Sequence, residues 1–380
     1  MRLTVLVKLL PSESQYEALE ATLRRVNAGC DYASEVAWET RTFGKYKLQQ
    51  ATYYNLKDRF GLTAQVVIRL LAKVADAYKL DKRTQRTFRP LGAIAYDNRI
   101  LRWYAAEVSI WTVEGRERIP YVCDERTRAL LEHRRGESDL VYRGSKWYLL
   151  ATVAVEEPPP GTPEDWLGVD LGIANLATDS DGEIHTSERV EKSRKRYERI
   201  RAKLQKAGTK SAKRHLKRLS GRERRFKKDT NHVLSKRIVS KAKESDRGIG
   251  LEDLQGIRER CGKRLRRSQR GRHSKWAFGE LRGFLEYKAR LAGVSLACVD
   301  PAYTSQACNE CGHCERANRR SQSKFVCKGC GHVAHADINA SKNIARRASV
   351  MVPIAAENGN ATHALPASPA ASPRALAVGS

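Results

Sequence analysis

Three acidic residues in the second half of the chain stand where carboxylates can do chemistry. Asp170 ends the apolar run of LGVDLGIANLATD, Glu252 ends that of GIGLEDL, and Asp337 opens the helix-like DINASKNIARR. Carboxylates delivered from two buried strands and one helix start can hold divalent cations for phosphodiester hydrolysis. The ordinary role of an isolated Asp after an apolar run is a helix cap or a turn. For Asp170, apolar residues on both sides would bury the charge, which is costly unless a cation neutralises it. Gly168 and Gly172 are expected to leave room there for a metal and a phosphate backbone. Glu252 repeats the logic, and its neighbour Asp253 must face the other way on a strand, so Asp253 reads as a cap or surface residue. Asp337 has the plain alternative of N-cap of the last helix, a role compatible with ligation because a helix start favours an anion. Asp179 and Asp181 in an SDG turn, and Asp300 before Pro301, are set aside as ligands. The chemistry expected is hydrolysis of a phosphodiester with two divalent cations about 3.5–4 Å apart, one activating water and one stabilising the leaving 3′ oxygen.

CNECGH at 308–313 and CKGCGH at 327–332 are two versions of one knuckle, each placing two thiolates on a tight turn with Gly after the second Cys. Such a turn needs a residue able to take positive φ. Cys308, Cys311, Cys327 and Cys330 therefore read as a closed, structural, tetrahedral zinc site. Cys314 makes a rival CxxC with Cys311, but it lacks the duplicated Gly-His context and is left unligated. The ribbon would present Arg316, Arg319, Arg320 and Lys324.

The chain has 71 Lys plus Arg against 43 Asp plus Glu, a net charge of +28, so a polyanion is the expected partner. A hydrophobic content of 41% argues for folded domains rather than a basic tail. Five of the nine cysteines crowd into 308–330, which fits a metal site in a reducing compartment better than a disulfide framework. The start, MRLTVLVKLLPS, is interrupted by Lys8 and lacks small cleavage-type residues, and no run of about 18 apolar residues occurs, so neither a signal peptide nor a membrane span is expected. Between 192 and 228 stand 18 Lys or Arg against two Glu, broken by apolar residues at near-helical spacing. The near absence of acids favours a track for a nucleic-acid backbone over a merely solvated helix pair. Arg194, Lys195, Arg196, Arg199, Lys203, Arg214 and Arg218 are its candidate contacts. A second run, Arg258 to Lys275 with Arg266 and Arg267, follows Glu252 directly and is expected to hold the strand to be cut.

The elements that must carry these residues are legible from periodicity. Residues 2–10 alternate as a strand. Ser12 and Gln15 can form a capping box, after which Tyr16, Leu19, Leu23, Val26, Cys30, Ala33 and Ala37 mark one helical stripe. Helices follow at 47–59 and from a Thr63 cap through Tyr78. Past Pro90, turns at Asp97-Asn98, Glu114-Gly115 and Arg143-Gly144-Ser145 separate strand-like runs, which with residues 2–10 predict a small antiparallel barrel. PPPGTP at 158–163 is a stiff linker. Beyond it, strand, turn and strand run from Leu167 to His185. A long basic helical region and a buried strand, Gly248 to Leu254, come next. A helix from about Ser274 to Leu291, the strand SLACVD and a helix from Asp337 to Arg347 complete a sheet covered by helices, with the site at strand ends. The Ala-, Pro- and Ser-rich tail, 351–380, is expected to be disordered.

GVDLGIANLAT, LEDL, and YTSQACNECGH with FVCKGCGHVAHADINASKNI resemble the RuvC-type nuclease motifs of the transposon-encoded TnpB (OrfB) proteins, relatives of the compact type V CRISPR effectors. The resemblance covers about 160–348 strongly and the upstream half less distinctively. It implies a multi-domain α+β chain: a wedge β-barrel at 1–10 and 88–157, a helical recognition domain at 11–87, the linker 158–163, an RNase H-like (RuvC) nuclease domain at 164–304 and 334–350, and a zinc ribbon at 305–333. Asp170, Glu252 and Asp337 would be its catalytic triad. The resemblance further implies a guide RNA, a DNA target beside a short flanking motif to which Gln65 would contribute a contact, and a place in the prokaryotic cell interior with the nucleoid. Ala336 stands where the family often has Arg. Two other readings are a non-cleaving zinc-ribbon nucleic-acid-binding regulator and a strand-joining transposase.

Overall fold

The structure is a computed structural model that describes residues 1–172, 174–254 and 278–351. The described chain divides into two compact units, one of residues Met1–Val155 and one that begins at Glu156. The tail beyond 351, Cys261 and the basic run 258–275 lie outside the described residues.

In the first unit, strand β1 (Arg2–Leu9) buries Val5, Val7 and Leu9 while Leu6 points out, as alternation requires. Three helices follow: α1 (Glu13–Glu39), α2 (Lys45–Phe60) and α3 (Ala64–Leu80). The Ser12–Gln15 capping box is formed in both directions, and the predicted stripe from Leu19 to Ala37 is buried. Thr63 occupies the N-cap of α3, but its side chain makes no capping hydrogen bond. The remaining strands are β2 (Ile94–Tyr96), β3 (Leu101–Trp103), β4 (Glu107–Thr112), β5 (Gly115–Val122), β6 (Arg134–Arg143) and β7 (Lys146–Ala154). They join β1 in one seven-stranded sheet of order β2-β6-β7-β1-β5-β4-β3.

Two of the three predicted turns make hairpins. Gly144 and Ser145, with φ of 56° and 60°, connect β6 to β7, the paired positive φ that matches strand twist, and Gly115 turns β4 into β5. The Asp97-Asn98 turn does not: β2 pairs with β6 and β3 with β4. The sheet is a near-barrel, with no ladder between β2 and β3 among the described residues. A short helix that the strand pattern did not predict, α4 (Glu125–Leu131), starts at Asp124, whose side chain accepts from Thr127 N at 2.8 Å.

The second unit is built on five strands: β8 (Trp166–Asp170), β9 (Asn175–Asp179), β10 (Ile184–Thr186), β11 (Gly248–Glu252) and β12 (Leu296–Val299), in the order β10-β9-β8-β11-β12. The first three are antiparallel, whereas β8, β11 and β12 run parallel. Between β10 and β11 stand α5 (Glu188–Ala207) and α6 (Lys210–Glu244), joined by Gly208 at φ +64°. Helix α7 (Phe278–Ala292) precedes β12, and α8 (Ala336–Ser349) ends the described chain.

Leu167, Val169, Ile249 and Leu251 bury one face of the sheet with Leu234 and Ile238 of α6 and Leu281 and Leu285 of α7. On the other face Trp166, Ala297 and Val299 meet Ile344 and Ala348 of α8. Each fully buried aliphatic side chain is worth roughly 1.5–3 kcal/mol, and a one-residue slip would expose the whole set, so the register is firmly held. Gly168 and Gly250 explain how α8 gets so close. A Cβ on Gly168 would lie 2.0 Å from Ser341 O, and one on Gly250 would lie 2.9 Å from the Ala348 Cβ. The space expected for a metal at Gly168 is thus filled by the last helix. A Cβ on Gly172 would lie 2.7 Å from Asn175 O, so that glycine serves the β8–β9 turn.

The acids set aside as ligands are used as struts. Lys241 of α6 pairs with Asp179, and Arg247 grips Asp181 bidentately at 2.7 and 2.8 Å, holding the Asp181 carboxyl well below the usual range. Gly168→Ala is expected to lower the thermal unfolding midpoint by the equivalent of about 1–3 kcal/mol or more, because the collision is with backbone. An unchanged midpoint in a calorimetric scan would contradict this packing of α8 on β8.

Candidate active site

Parallel pairing sets Val169 opposite Leu251, so Asp170 and Glu252 follow at neighbouring positions on strands about 4.8 Å apart. Both lie on the α8 face, because side chains alternate and Leu167, Val169, Ile249 and Leu251 take the opposite one. Asp253 turns away as the alternation predicts and meets Arg282 of α7 at 2.6 Å. Asp337 sits at the second residue of α8, only 6% exposed. It is not the N-cap: His335 holds that place and its Nδ1 accepts from Asp337 N at 3.3 Å. The Asp337 side chain is therefore free to point at the sheet acids.

Two of the three carboxylates are tied down and one is not. Asn175 donates to Asp337 Oδ2 and Arg319 to Asp337 Oδ1, both at 2.9 Å. Thr304, itself buried, donates its hydroxyl to Glu252 Oε1. Asp170 has no hydrogen-bond or ion-pair partner among the described residues. Burial, then the charges of Glu252 and Asp337, push its pKa up to about 8 against the pull of Arg319. Burial likewise raises that of Glu252, opposed by the Thr304 hydroxyl and by Arg347 and Arg319. Three neighbouring carboxylates, with Asp170 and Glu252 disfavoured as anions by burial, are an oxygen donor set suited to a hard divalent cation.

The ribbon follows β12. Cys308, Cys311, Cys327 and Cys330 bring their sulfurs within 4.8 Å of one another. The two knuckles are near copies. Gly312 N donates to Cys308 O at 3.0 Å and Gly331 N to Cys327 O at 3.1 Å, and these glycines have φ of 77° and 75°. Cys314 is exposed and outside the cluster. Strands β13 (Lys324–Val326) and β14 (Val333–His335) close the ribbon over Phe325. Arg319 was expected among the basic residues the ribbon presents outward. It turns inward to Asp337 instead.

Asn175, Thr304, Asn339 and Asn343 were not singled out from sequence. Asn339 and Asn343 are fully buried on α8 and donate to Ala307 O at 2.8 and 2.7 Å, and Asn343 also reaches Thr304 O at 3.0 Å. Their spacing of four in DINASKN was the available signal: two amides one helical turn apart among small and apolar residues.

Of the candidate nucleic-acid contacts, Lys195, Arg196, Arg199 and Lys203 on α5 and Arg214 and Arg218 on α6 are exposed and form no ion pair among the described residues. Arg194 is held by Glu191 and Glu198 of its own helix, at 2.7 and 2.6 Å. Gln65 bonds to Asp97 and also accepts from Arg99 at 3.2 Å. Arg266 and Arg267 lie outside the described residues.

A mixed sheet carrying three acids near one end, followed by a four-cysteine cluster that could hold a metal ion, defines the α/β frame of this unit. Two family models match within it: "Probable transposase" (OrfB_IS605) over 151–255 and "Cas12f1-like, TNB domain" over 278–344. The chain is 32% identical over 237 residues to "CRISPR-associated endodeoxyribonuclease Cas12f1" of Sulfoacidibacillus thermotolerans, covering 56% of this chain and 54% of that one. It is 31% identical over 217 residues to "Putative RNA-guided DNA endonuclease InsQ" of Escherichia coli K12, covering 52% and 53%. With "TnpB-like protein MJ0751" of Methanocaldococcus jannaschii it shares 30% identity over 200 residues, covering 50% of this chain and 70% of that one. The chain belongs to the TnpB family. Its match spans about half the length of the Cas12f1 and InsQ relatives.

Folding raises Asp170 from its usual 3.8 to about 8, so the folded form keeps a proton that the unfolded form releases. That contribution to stability is present below 3.8 and is lost as pH rises toward 8. Metal-free protein should therefore lose melting temperature across this window relative to Asp170→Asn, and Mg²⁺ added near pH 8 should restore it only when Asp170 is present. Parallel pH curves for the two proteins would contradict the crowding of the three acids.

Proposed function

We propose that this chain is an RNA-guided DNA endonuclease that hydrolyses phosphodiester bonds beside a short flanking motif. The observation that carries the reading is that Asp170 and Glu252 stand side by side on the sheet face that receives Asp337, close enough for both other acids to act on Asp170, which has no hydrogen-bond or ion-pair partner among the described residues. An antiparallel trio of strands followed by two parallel ones fits an RNase H-like (RuvC) nuclease domain at 164–304 and 334–350, with the ribbon at 305–333 as its insertion. The upstream near-barrel and three helices fit a wedge, 1–10 and 88–157, with recognition helices at 11–87, and residues 158–163 are the linker.

Bound Mg²⁺ ions would supply Lewis-acid stabilisation and a water of lowered pKa. The protein's own contribution is to hold the ligands. Thr304 fixes the Glu252 carboxylate, Asn175 and Arg319 fix that of Asp337, and the sheet register sets Asp170 beside Glu252. The four thiolates form a closed set, which suits a structural Zn²⁺ that keeps the ribbon folded and so keeps Arg319 in place. The exposed cations Lys195, Arg196, Arg199 and Lys203 of α5 and Arg214 and Arg218 of α6 offer a track for a phosphate backbone. Guide RNA and target DNA are the partners this reading requires, the eight described cysteines are all free of disulfides, and the site of action is the cell interior. Among the described residues no helix is long and apolar enough to cross a membrane.

Purified full-length protein should carry one defined RNA and cut DNA complementary to it in Mg²⁺. Asp170→Ala, Glu252→Ala or Asp337→Ala should each lower cleavage roughly a thousandfold or more while DNA binding persists, because the three act as one set. Normal cutting by any of the three, or guide-independent cutting by the wild type, would overturn the proposal.

A further inference from the structure

Residues 300–304, DPAYT, make the turn that leads from β12 toward the ribbon. Within it Tyr303 has a φ of +62°, a left-handed conformation that is uncommon for an aromatic residue, and it is 64% exposed. Hydrogen bonds to its backbone clamp the turn on both sides. Ala302 N donates to Asp300 Oδ1 at 3.0 Å, the Tyr303 carbonyl accepts from Gln306 N and Ala307 N at 2.9 Å each, and the Thr304 carbonyl accepts from Asn343 at 3.0 Å. The very next side chain, Thr304, is the one bonded to Glu252. A glycine would adopt this backbone without strain. The tyrosine ring and hydroxyl have no partner among the described residues. Arg347 binds the Asp300 carbonyl at 2.7 Å, so a guanidinium stands at the same turn.

An exposed aromatic with an adjacent cation, fixed one residue from a carboxylate-holding hydroxyl, is the pair of groups that takes a nucleotide by its base and its phosphate. We propose that Tyr303 is a nucleobase-stacking residue that positions the strand to be cut, beside the acid cluster. Its strained backbone is the means by which the ring is directed outward while Thr304 is directed in. This rests on the endonuclease reading above.

The test uses the full-length protein with the RNA that copurifies with it. The substrate is a single-stranded oligodeoxynucleotide complementary to that RNA, in Mg²⁺, with Asp170→Ala as the reference for no chemistry. Tyr303→Ala and Tyr303→Gly should each cut kcat/KM about tenfold, as loss of one base–aromatic stack does, mainly through KM. Tyr303→Phe, which keeps the ring, should recover most of that loss. Tyr303→Gly should also melt at or above the wild-type temperature, since glycine relieves the positive φ. Wild-type kcat/KM in the Ala and Gly variants would overturn the inference, as would a lowered melting temperature in the Gly variant that matched its loss of activity. If wild type and Asp170→Ala behave alike, the endonuclease reading has failed and this inference falls with it.

Discussion

Mutual repulsion among three half-dehydrated carboxylates is the constraint around which the second unit is arranged. Parallel pairing of β8 with β11 puts Asp170 beside Glu252, and α8 brings in Asp337 from above the same face. None of this would hold for acids left to themselves, because burial and like charge both favour protonation. Arg319, Thr304 and Asn175 offset part of the cost, and Asp170 carries the rest as a raised pKa.

The aliphatic core on the opposite face supplies the rigidity. Because Leu167, Val169, Ile249 and Leu251 are buried against α6 and α7, the acids cannot rotate away without exposing the core. On the near face, Gly168 and Gly250 let α8 approach closely, and Asn339 and Asn343 tie that helix to the turn at Thr304 and to the first cysteine knuckle. The ribbon is thereby joined to the acid cluster by the same helix that delivers Asp337. Arg319, which the ribbon supplies, closes the connection.

Much of this was readable from residue order. Strand periodicity at LGVD and IGLE placed Asp170 and Glu252 on one face and Asp253 on the other, and the repeated CxxCGH pattern gave the four sulfurs and excluded Cys314. The capping box at Ser12 and the hairpin at Gly144-Ser145 were equally local and equally legible. What sequence concealed depends on which elements meet. The role of Gly168 appears only once α8 lies across β8, since a strand glycine reads alike whether it admits a helix or a ligand. The inward turn of Arg319 needs the ribbon folded over the helix start. The Asp97-Asn98 turn looked like a hairpin because its flanks are strand-like, but pairing with β6 and β4 took those strands apart.

Diffraction from crystals grown with Mn²⁺, collected at the metal's absorption edge, tests the central claim most directly. The account predicts two anomalous peaks about 3.5–4 Å apart among the carboxylates of Asp170, Glu252 and Asp337. Carboxylates too far apart to share a metal, or peaks only at the four cysteines, would contradict it.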